Sequence, residues 1–203
     1  MRAHIIGVAG PSSSGKSELA RQLVERLPGT SIVSLDSYYR GMEEIPLVER
    51  KKVNFDHPDS LDWELLHQHL VAIAGGQAFD EPVYSFADYA RTMETRRIEP
   101  TEFLIVEGLF VLYWPELRKM LDTKVYVHTD PAVCFQRRLT RDVAERGRTP
   151  ESVHEQYERT VRPSAEWFVY PTEKYADLRV SGEQPFDHST STVIAALRRA
   201  KSA

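Results

Sequence analysis

The segment Gly10-Pro11-Ser12-Ser13-Ser14-Gly15-Lys16-Ser17 constrains this chain more than any other. It fits G-x-x-x-x-G-K-[ST], a loop whose backbone N–H groups wrap the phosphates of a nucleotide. Such a loop works at the turn between a buried parallel strand and the start of a helix, and both flanks are present. His4–Ala9 is short and apolar, as a buried parallel strand requires. From Glu18 onward, Leu19, Leu23 and Leu27 recur at four-residue spacing on one helical face. There the unpaired N–H groups and positive dipole end of the helix meet an anion. Gly10 and Gly15 permit an approach of backbone to ligand that a Cβ would obstruct. Lys16 is placed to reach the β- and γ-phosphates, and the Ser17 hydroxyl to ligate Mg²⁺.

A chain of 203 residues suits one compact domain spanning 1–203. The formal net charge of −4 provides no overall basic field, so a nucleic-acid partner is not expected. Cys134 is the only cysteine, which excludes an intramolecular disulfide and agrees with a reducing, cytoplasmic setting. No apolar run approaches the roughly 20 residues that span a membrane, and the N-terminal run breaks at the phosphate loop rather than reading as a signal peptide.

Beyond Pro28-Gly29, residues 30–35 read as a second strand with Asp36 just past its C-terminal end, where ligands gather in open α/β sheets. A carboxylate there suits a general base or a Mg²⁺ contact, and equally the cap of a following turn. Residues 41–52 read as a surface loop or short helix, and a helix from Leu61 to about Ala74 finds its cap in Asp59 or Ser60. His67 and His69 lie two apart on it, do not share a face, and read as surface residues. Residues 79–98 form a small β-hairpin, with Tyr84, Phe86 and Tyr89 as either its own apolar face or a wall for a flat ligand. The strand 102–108 carries four apolar residues, 103–106, and ends in Glu107 and Gly108, as does a strand whose terminal acid reaches the Mg²⁺ shell near Ser17. A short helix over 114–121 and a strand over 124–129 follow.

Pro131 then opens a helix that carries Arg137, Arg138, Arg141, Arg146 and Arg148, with Asp142 and Glu145 interleaved. An ion-paired solvated face is one reading of that run. Five arginines in twelve residues beside a phosphate loop favour a lid over about 141–155 that neutralises phosphate charge. A helix over 151–162 halts before Pro163, another covers 165–175, a last strand lies near 178–180, and a final helix runs from about 189 to 201. The alternation of strands and helices predicts an α/β fold: a five-stranded parallel sheet with helices on both faces.

The motifs now in hand resemble the uridine kinases (uridine–cytidine kinases), a family of P-loop kinases, across nearly the whole chain. They are the phosphate loop, residues 36–40, the string Asn54-Phe55-Asp56-His57-Pro58-Asp59, residues 82–86, Glu107-Gly108, the arginine string 141–148 and residues 174–177. The resemblance implies transfer of the γ-phosphoryl group of ATP to the 5′-hydroxyl of a pyrimidine nucleoside, a step of pyrimidine salvage. GTP in place of ATP stays open. It also implies Mg²⁺, and a homo-oligomer that is a tetramer in many members. Carried over motif by motif, Asp36 is the base at the 5′-oxygen, with Ser17 and Glu107 organising Mg²⁺. Asp56 and Arg138 hold the ribose hydroxyls, and Tyr84, Arg148 and Gln156 contact the nucleoside. Phe55 and Phe86 flank the base, while Arg141 and Arg146 meet the phosphates. Where many members have a histidine after the hairpin aromatics, this chain has Tyr89. A phenol oxygen acting as acceptor suits the 4-amino group of cytosine and repels the 4-oxygen of uracil, so cytidine is expected to serve at least as well as uridine.

Rival classes lack their signatures. A GTPase switch needs Asn-Lys-x-Asp, and the only asparagine, Asn54, precedes Phe55. An ATPase motor needs a partner motif that Gly75-Gly76-Gln77 does not supply. Kinases of phosphoribulose, nicotinamide riboside and pantothenate share the loop and general fold, but the 54–59 string and the hairpin aromatics favour a nucleoside.

Overall fold

The computed structural model describes residues 2–42, 44–50 and 53–201. Its centre is β1 (His4–Ala9), whose apolar run is buried on both sides. Alternation along the strand sends Ile6 and Val8 to one face and Ile5 and Ala9 to the other. β5 (Phe103–Gly108), buried at every position, divides in the same way, with Phe103 and Ile105 facing one layer and Leu104 and Val106 the other. With β2 (Thr30–Ser34), β6 (Thr123–His128) and β7 (Leu178–Ser181) they form a five-stranded sheet in the order β2-β5-β1-β6-β7. Every pairing in it is parallel.

One face is covered by α1 (Lys16–Arg26) and α8 (Phe186–Lys201), which pack Leu19, Leu23 and Val193 into a shared apolar cluster. The other carries α3 (Trp63–Ala74) and α4 (Pro115–Met120), with Leu66, Leu70 and Leu117 in the larger cluster. Gly7 is required on that side, because a Cβ there would lie 2.5 Å from Leu121 Cδ1. The hairpin β3 (Phe79–Ser85) and β4 (Ala90–Ile98) forms a separate antiparallel pair beside the sheet. Beyond α5 (Pro131–Arg146) and α6 (Pro150–Gln156), a helical run continues to Tyr175. No helix among the described residues is long and apolar enough to cross a membrane.

Several expected boundaries move. β2 stops at Ser34, and Leu35 enters a 3₁₀ turn (Leu35–Tyr38) because the Ser34 side chain caps it by accepting from Asp36 N. The cap of α3 is Asp62, which accepts from Leu65 N, rather than Asp59 or Ser60; those two belong to a preceding 3₁₀ turn (Pro58–Ser60). His69 is only partly at the surface: its Nδ1 lies 2.8 Å from the Tyr38 hydroxyl and its ring stacks on Phe79. Pro163 does not divide two helices. Widened π turns at Tyr157–Val161 and Ala165–Val169 flank α7 (Arg162–Ser164) and carry the chain past the missing N–H and the ring that a regular helix would clash with. α8 begins three residues earlier than expected, at Phe186, whose ring is needed against Gly15. Within 41–52 a short helix, α2 (Leu47–Arg50), forms; Glu43, Lys51 and Lys52 lie outside the described residues.

Candidate active site

The carboxyl ends of β1, β2 and β5 converge on one edge of the sheet, and the phosphate loop leaves from β1. Gly10 is packed so closely that a Cβ would meet Ser14 Oγ at 2.7 Å and Val127 O at 2.8 Å. Within the loop Ser14 N donates to Pro11 O at 3.1 Å, and Gly15, at φ 96°, turns the chain into α1. Ser13 holds a left-handed conformation at φ 63° without being glycine. Its hydroxyl and that of Ser14 are buried with no hydrogen-bond partner among the described residues. Among the described residues Lys16 Nζ makes only a long contact, 3.4 Å, to Pro11 O. Strained backbone, orphaned hydroxyls and a loosely held ammonium together fit a loop shaped for a polyphosphate.

Beside it, two carboxylates share a hydrogen-bonded frame. Glu107, 6 % exposed, accepts from Ser17 Oγ at 3.0 Å and from Ser34 Oγ at 2.7 Å. Asp36 follows on the 3₁₀ turn that Ser34 caps. Burial, and then the charge of Glu107, raise the Asp36 carboxyl above the usual carboxylate range, while Lys16 and Arg146 draw it back. Ser17, Glu107 and Asp36 present oxygen donors only, which suits a hard cation such as Mg²⁺. Among the described residues no three His, Cys, Asp or Glu side chains cluster closely enough to hold a metal alone. A cation here would complete its shell from phosphate oxygens and water.

Opposite the loop stands the arginine cluster, gathered around Asp142, which the sequence offered only as an ion-pair partner on a solvated face. Asp142 is fully buried. Arg141 Nη2 lies 2.8 Å from its carboxylate, Arg138 Nε and Arg146 Nη1 each 3.5 Å, and Arg148 Nη1 3.8 Å. The signal was its spacing, since Cys134, Arg138 and Asp142 recur every four residues and form the buried stripe of α5. Arg138 also donates to Ser12 Oγ at 3.0 Å and to Gln156 Oε1 at 3.1 Å. Its guanidinium lies 3.8 Å from Asp56, whose carboxyl is raised first by burial and drawn back by that arginine. Arg148 bonds Gln156 Oε1 as well and donates to Ser152 O at 2.8 Å, fixing the start of α6.

Between loop and arginines opens a cleft of about 1050 Å³. Aromatic rings line its far end. Phe55 stands edge-on to Tyr39 at 5.3 Å and leans on Tyr89 at 5.4 Å, and Tyr84 meets Phe86 at 5.3 Å. The hairpin aromatics therefore divide between core and cleft. Tyr84, 9 % exposed, joins the core, while Phe86, half exposed, faces the cleft. Tyr89 holds φ 52°, which turns its ring over Phe55.

Residues 5–185 match the phosphoribulokinase / uridine kinase family. The chain belongs to this family. Similar relatives include a uridine kinase of Chloroflexus aurantiacus, 48 % identical over 180 residues that cover 88 % of this chain and 86 % of the relative. Another is a uridine kinase of Shewanella amazonensis, 45 % identical over 182 residues, 87 % of this chain and 86 % of that one. Among solved structures, a putative fructose transport system kinase from Silicibacter sp. matches with a TM-score of 0.72 at 19 % identity, covering 88 % and 90 % of the two chains. A phosphoribulokinase from Rhodobacter spheroides matches with 0.70 at 17 % identity, covering 91 % and 74 %. At such identities the structural likeness carries the fold alone, an α/β P-loop kinase fold with a five-stranded parallel sheet.

Within this phosphoribulokinase / uridine kinase fold, the cleft brings together Lys16, Ser17, Asp36, Phe55, Asp56 and Glu107 with Tyr84, Phe86 and Tyr89. Arg138, Arg141, Arg146, Arg148 and Gln156 close the opposite wall. Ser12, Ser13 and Gly15 line it, whereas Gly10, Pro11 and Ser14 lie behind and shape the loop. Sequence reasoning did not single out Ser34 or Phe186, and it gave Tyr39 and Asp142 no part in the cleft. Ser34 sits two residues before Asp36 and opposite Glu107 in the β2–β5 register, a relation visible only once the strands pair.

Proposed function

We propose that this chain transfers the γ-phosphoryl group of ATP to the 5′-hydroxyl of a pyrimidine nucleoside, forming the monophosphate in pyrimidine salvage. The observation that carries the reading is one cleft with a phosphate loop at one end, an aromatic-walled pocket at the other, and Asp36 between them. Asp36, held above the usual carboxylate range, is the general base that takes the 5′-hydroxyl proton. Asp56 and Arg138 meet the ribose hydroxyls, where a buried carboxylate left unpaired would penalise a substrate that lacks them. Phe55 and Phe86 enclose the base, with Tyr84, Tyr89, Arg148 and Gln156 around its polar edge. Lys16, Arg141 and Arg146 neutralise the phosphate oxygens, and residues 141–155 act as the lid. Ser17 and Glu107, with Asp36 nearby, would hold Mg²⁺, which when bound would supply charge neutralisation at the phosphates. A homo-oligomer, a cytoplasmic setting and the absence of a nucleic-acid partner belong to the same reading.

Tyr89 places a phenol where the pocket reads the base, so cytidine serves at least as well as uridine. A coupled assay with Mg²⁺ and ATP or GTP, across uridine, cytidine, deoxycytidine, adenosine and nicotinamide riboside, tests both statements. Turnover of uridine or cytidine that collapses in Asp36→Ala supports the assignment. Turnover of nicotinamide riboside alone, or of nothing, sinks it. A Tyr89→His variant with an unchanged cytidine-to-uridine ratio of kcat/KM removes the role of Tyr89.

A further inference from the structure

We infer that Ser34 is a positioning residue for phosphoryl transfer, and that the root of the hairpin, through Glu81, holds Ser34 in place. The inference rests on the kinase reading above. Ser34 ends β2 directly opposite Glu107 in the parallel register, so both side chains leave the sheet on the same face. Its hydroxyl proton is committed to Glu107 Oε1 at 2.7 Å, and its oxygen accepts from Asp36 N at 3.3 Å. One hydroxyl thus fixes the orientation of the carboxylate that also receives the Ser17 hydroxyl, and the backbone that presents the catalytic carboxylate. Without it, Glu107 keeps a hydrogen bond on one oxygen only and is free to rotate about it.

Ser34 is itself tied from outside the sheet. Its backbone N–H donates to Glu81 Oε1 at 3.3 Å. Glu81 is 1 % exposed, yet it lies on the hairpin, in register with its cross-strand partner Arg96. Arg96 Nε donates to Glu81 Oε2 at 2.7 Å, and Arg96 Nη2 to Ile32 O at 2.6 Å on β2. The Ser37 side chain lies near enough to Glu81 to favour its charged form. A buried carboxylate on a two-stranded hairpin would be costly unless fully paired, and here every partner belongs to the hairpin or to the segment that carries Ser34 and Asp36. The hairpin that walls the nucleoside pocket and the carboxylate frame at the phosphates therefore form one hydrogen-bonded unit, with Ser34 as the joint.

The test uses the whole protein, with Ser34→Ala, Ser34→Thr, Glu81→Gln and the double variant Ser34→Ala/Glu81→Gln. Steady-state kinetics are paired with Mn²⁺ affinity, read by electron paramagnetic resonance on the enzyme with ATP and no nucleoside. Ser34→Ala is expected to lower kcat by about 10- to 100-fold and to weaken Mn²⁺ binding severalfold, with the nucleoside KM within about twofold of wild type. Ser34→Thr, which keeps the hydroxyl, restores most of both. Glu81→Gln lowers kcat on its own but adds nothing in the Ser34→Ala background, since its effect runs through that hydroxyl. A folded Ser34→Ala enzyme with wild-type kcat and Mn²⁺ affinity overturns the inference, as do fully additive effects of the two substitutions. If Ser34→Ala fails to fold, Glu81→Gln with unchanged kcat and Mn²⁺ affinity overturns it equally. A wild-type enzyme that turns over no nucleoside instead defeats the proposed function, while the Mn²⁺ arm still reads Ser34.

Discussion

Asp36 has the heaviest chemical assignment of any single side chain, and its neutral isostere is the sharpest residue-scale prediction. Asp36→Asn keeps the shape and removes the base, so kcat is expected to fall by about 10³-fold while ATP still binds, measurable by single-turnover assay and calorimetry. Gly182 makes a second prediction, one that no motif announced. A Cβ there would lie 2.0 Å from Ser14 O and 2.2 Å from Thr129 Oγ1, and the first of these is backbone of the phosphate loop. Gly182→Ala is expected to destabilise the fold by about 2 kcal/mol and to weaken ATP binding, read by thermal unfolding and by titration with ATP. Glu81 provides the pH test. Burial raises its carboxyl above the ordinary value, with Arg96 opposing, so the folded state binds its proton more readily than the unfolded chain does. The contribution of Glu81 to stability therefore falls as pH rises from the ordinary carboxylate value through the raised one. Glu81→Gln lacks that dependence, so its Tm is expected to move up relative to wild type across this window; a constant difference would contradict the sign.

At the scale of elements, α5 is decided by its buried polar stripe. An amphipathic helix ordinarily buries apolar residues, but this one buries Cys134, Arg138 and Asp142. The four arginines around Asp142 would repel one another without a buried anion, and Asp142 supplies it. Asp142→Asn is expected to cost about 3 kcal/mol and to depress kcat more than it raises the nucleoside KM, checked by denaturant unfolding and steady-state kinetics. The arginine string was legible in the sequence as a run of charge beside a phosphate loop. The depth of Asp142 was not, because alternating charges on a helix look the same whether water or a cleft faces them. The helical run through Pro163 shows a similar limit, since π turns that accommodate a proline leave no mark in local propensity.

For the molecule as a whole, the proposed function seats both ligands at one edge of a single sheet, so binding should stabilise the entire domain. ATP–Mg²⁺ with a nucleoside, each at about 100 times its Kd, is expected to raise Tm by several degrees per ligand in a thermal shift assay, from about 2.7 kcal/mol of linkage each. The sequence by itself determined the fold class, the five strands of the main sheet and, by spacing or by family resemblance, most of the side chains that line the cleft. It could do so because the phosphate loop, the terminal acids of the strands and the string 54–59 are local patterns whose chemistry depends on short spacing. Only the tertiary structure decided which residues hold those groups in place. Ser34 meets Glu107 across two strands, Glu81 reaches Ser34 from the hairpin, and Phe186 covers Gly15 from the far end of the chain. Such contacts join residues separated by dozens to more than a hundred positions, and no periodicity records which of many buried neighbours a strand register will bring together.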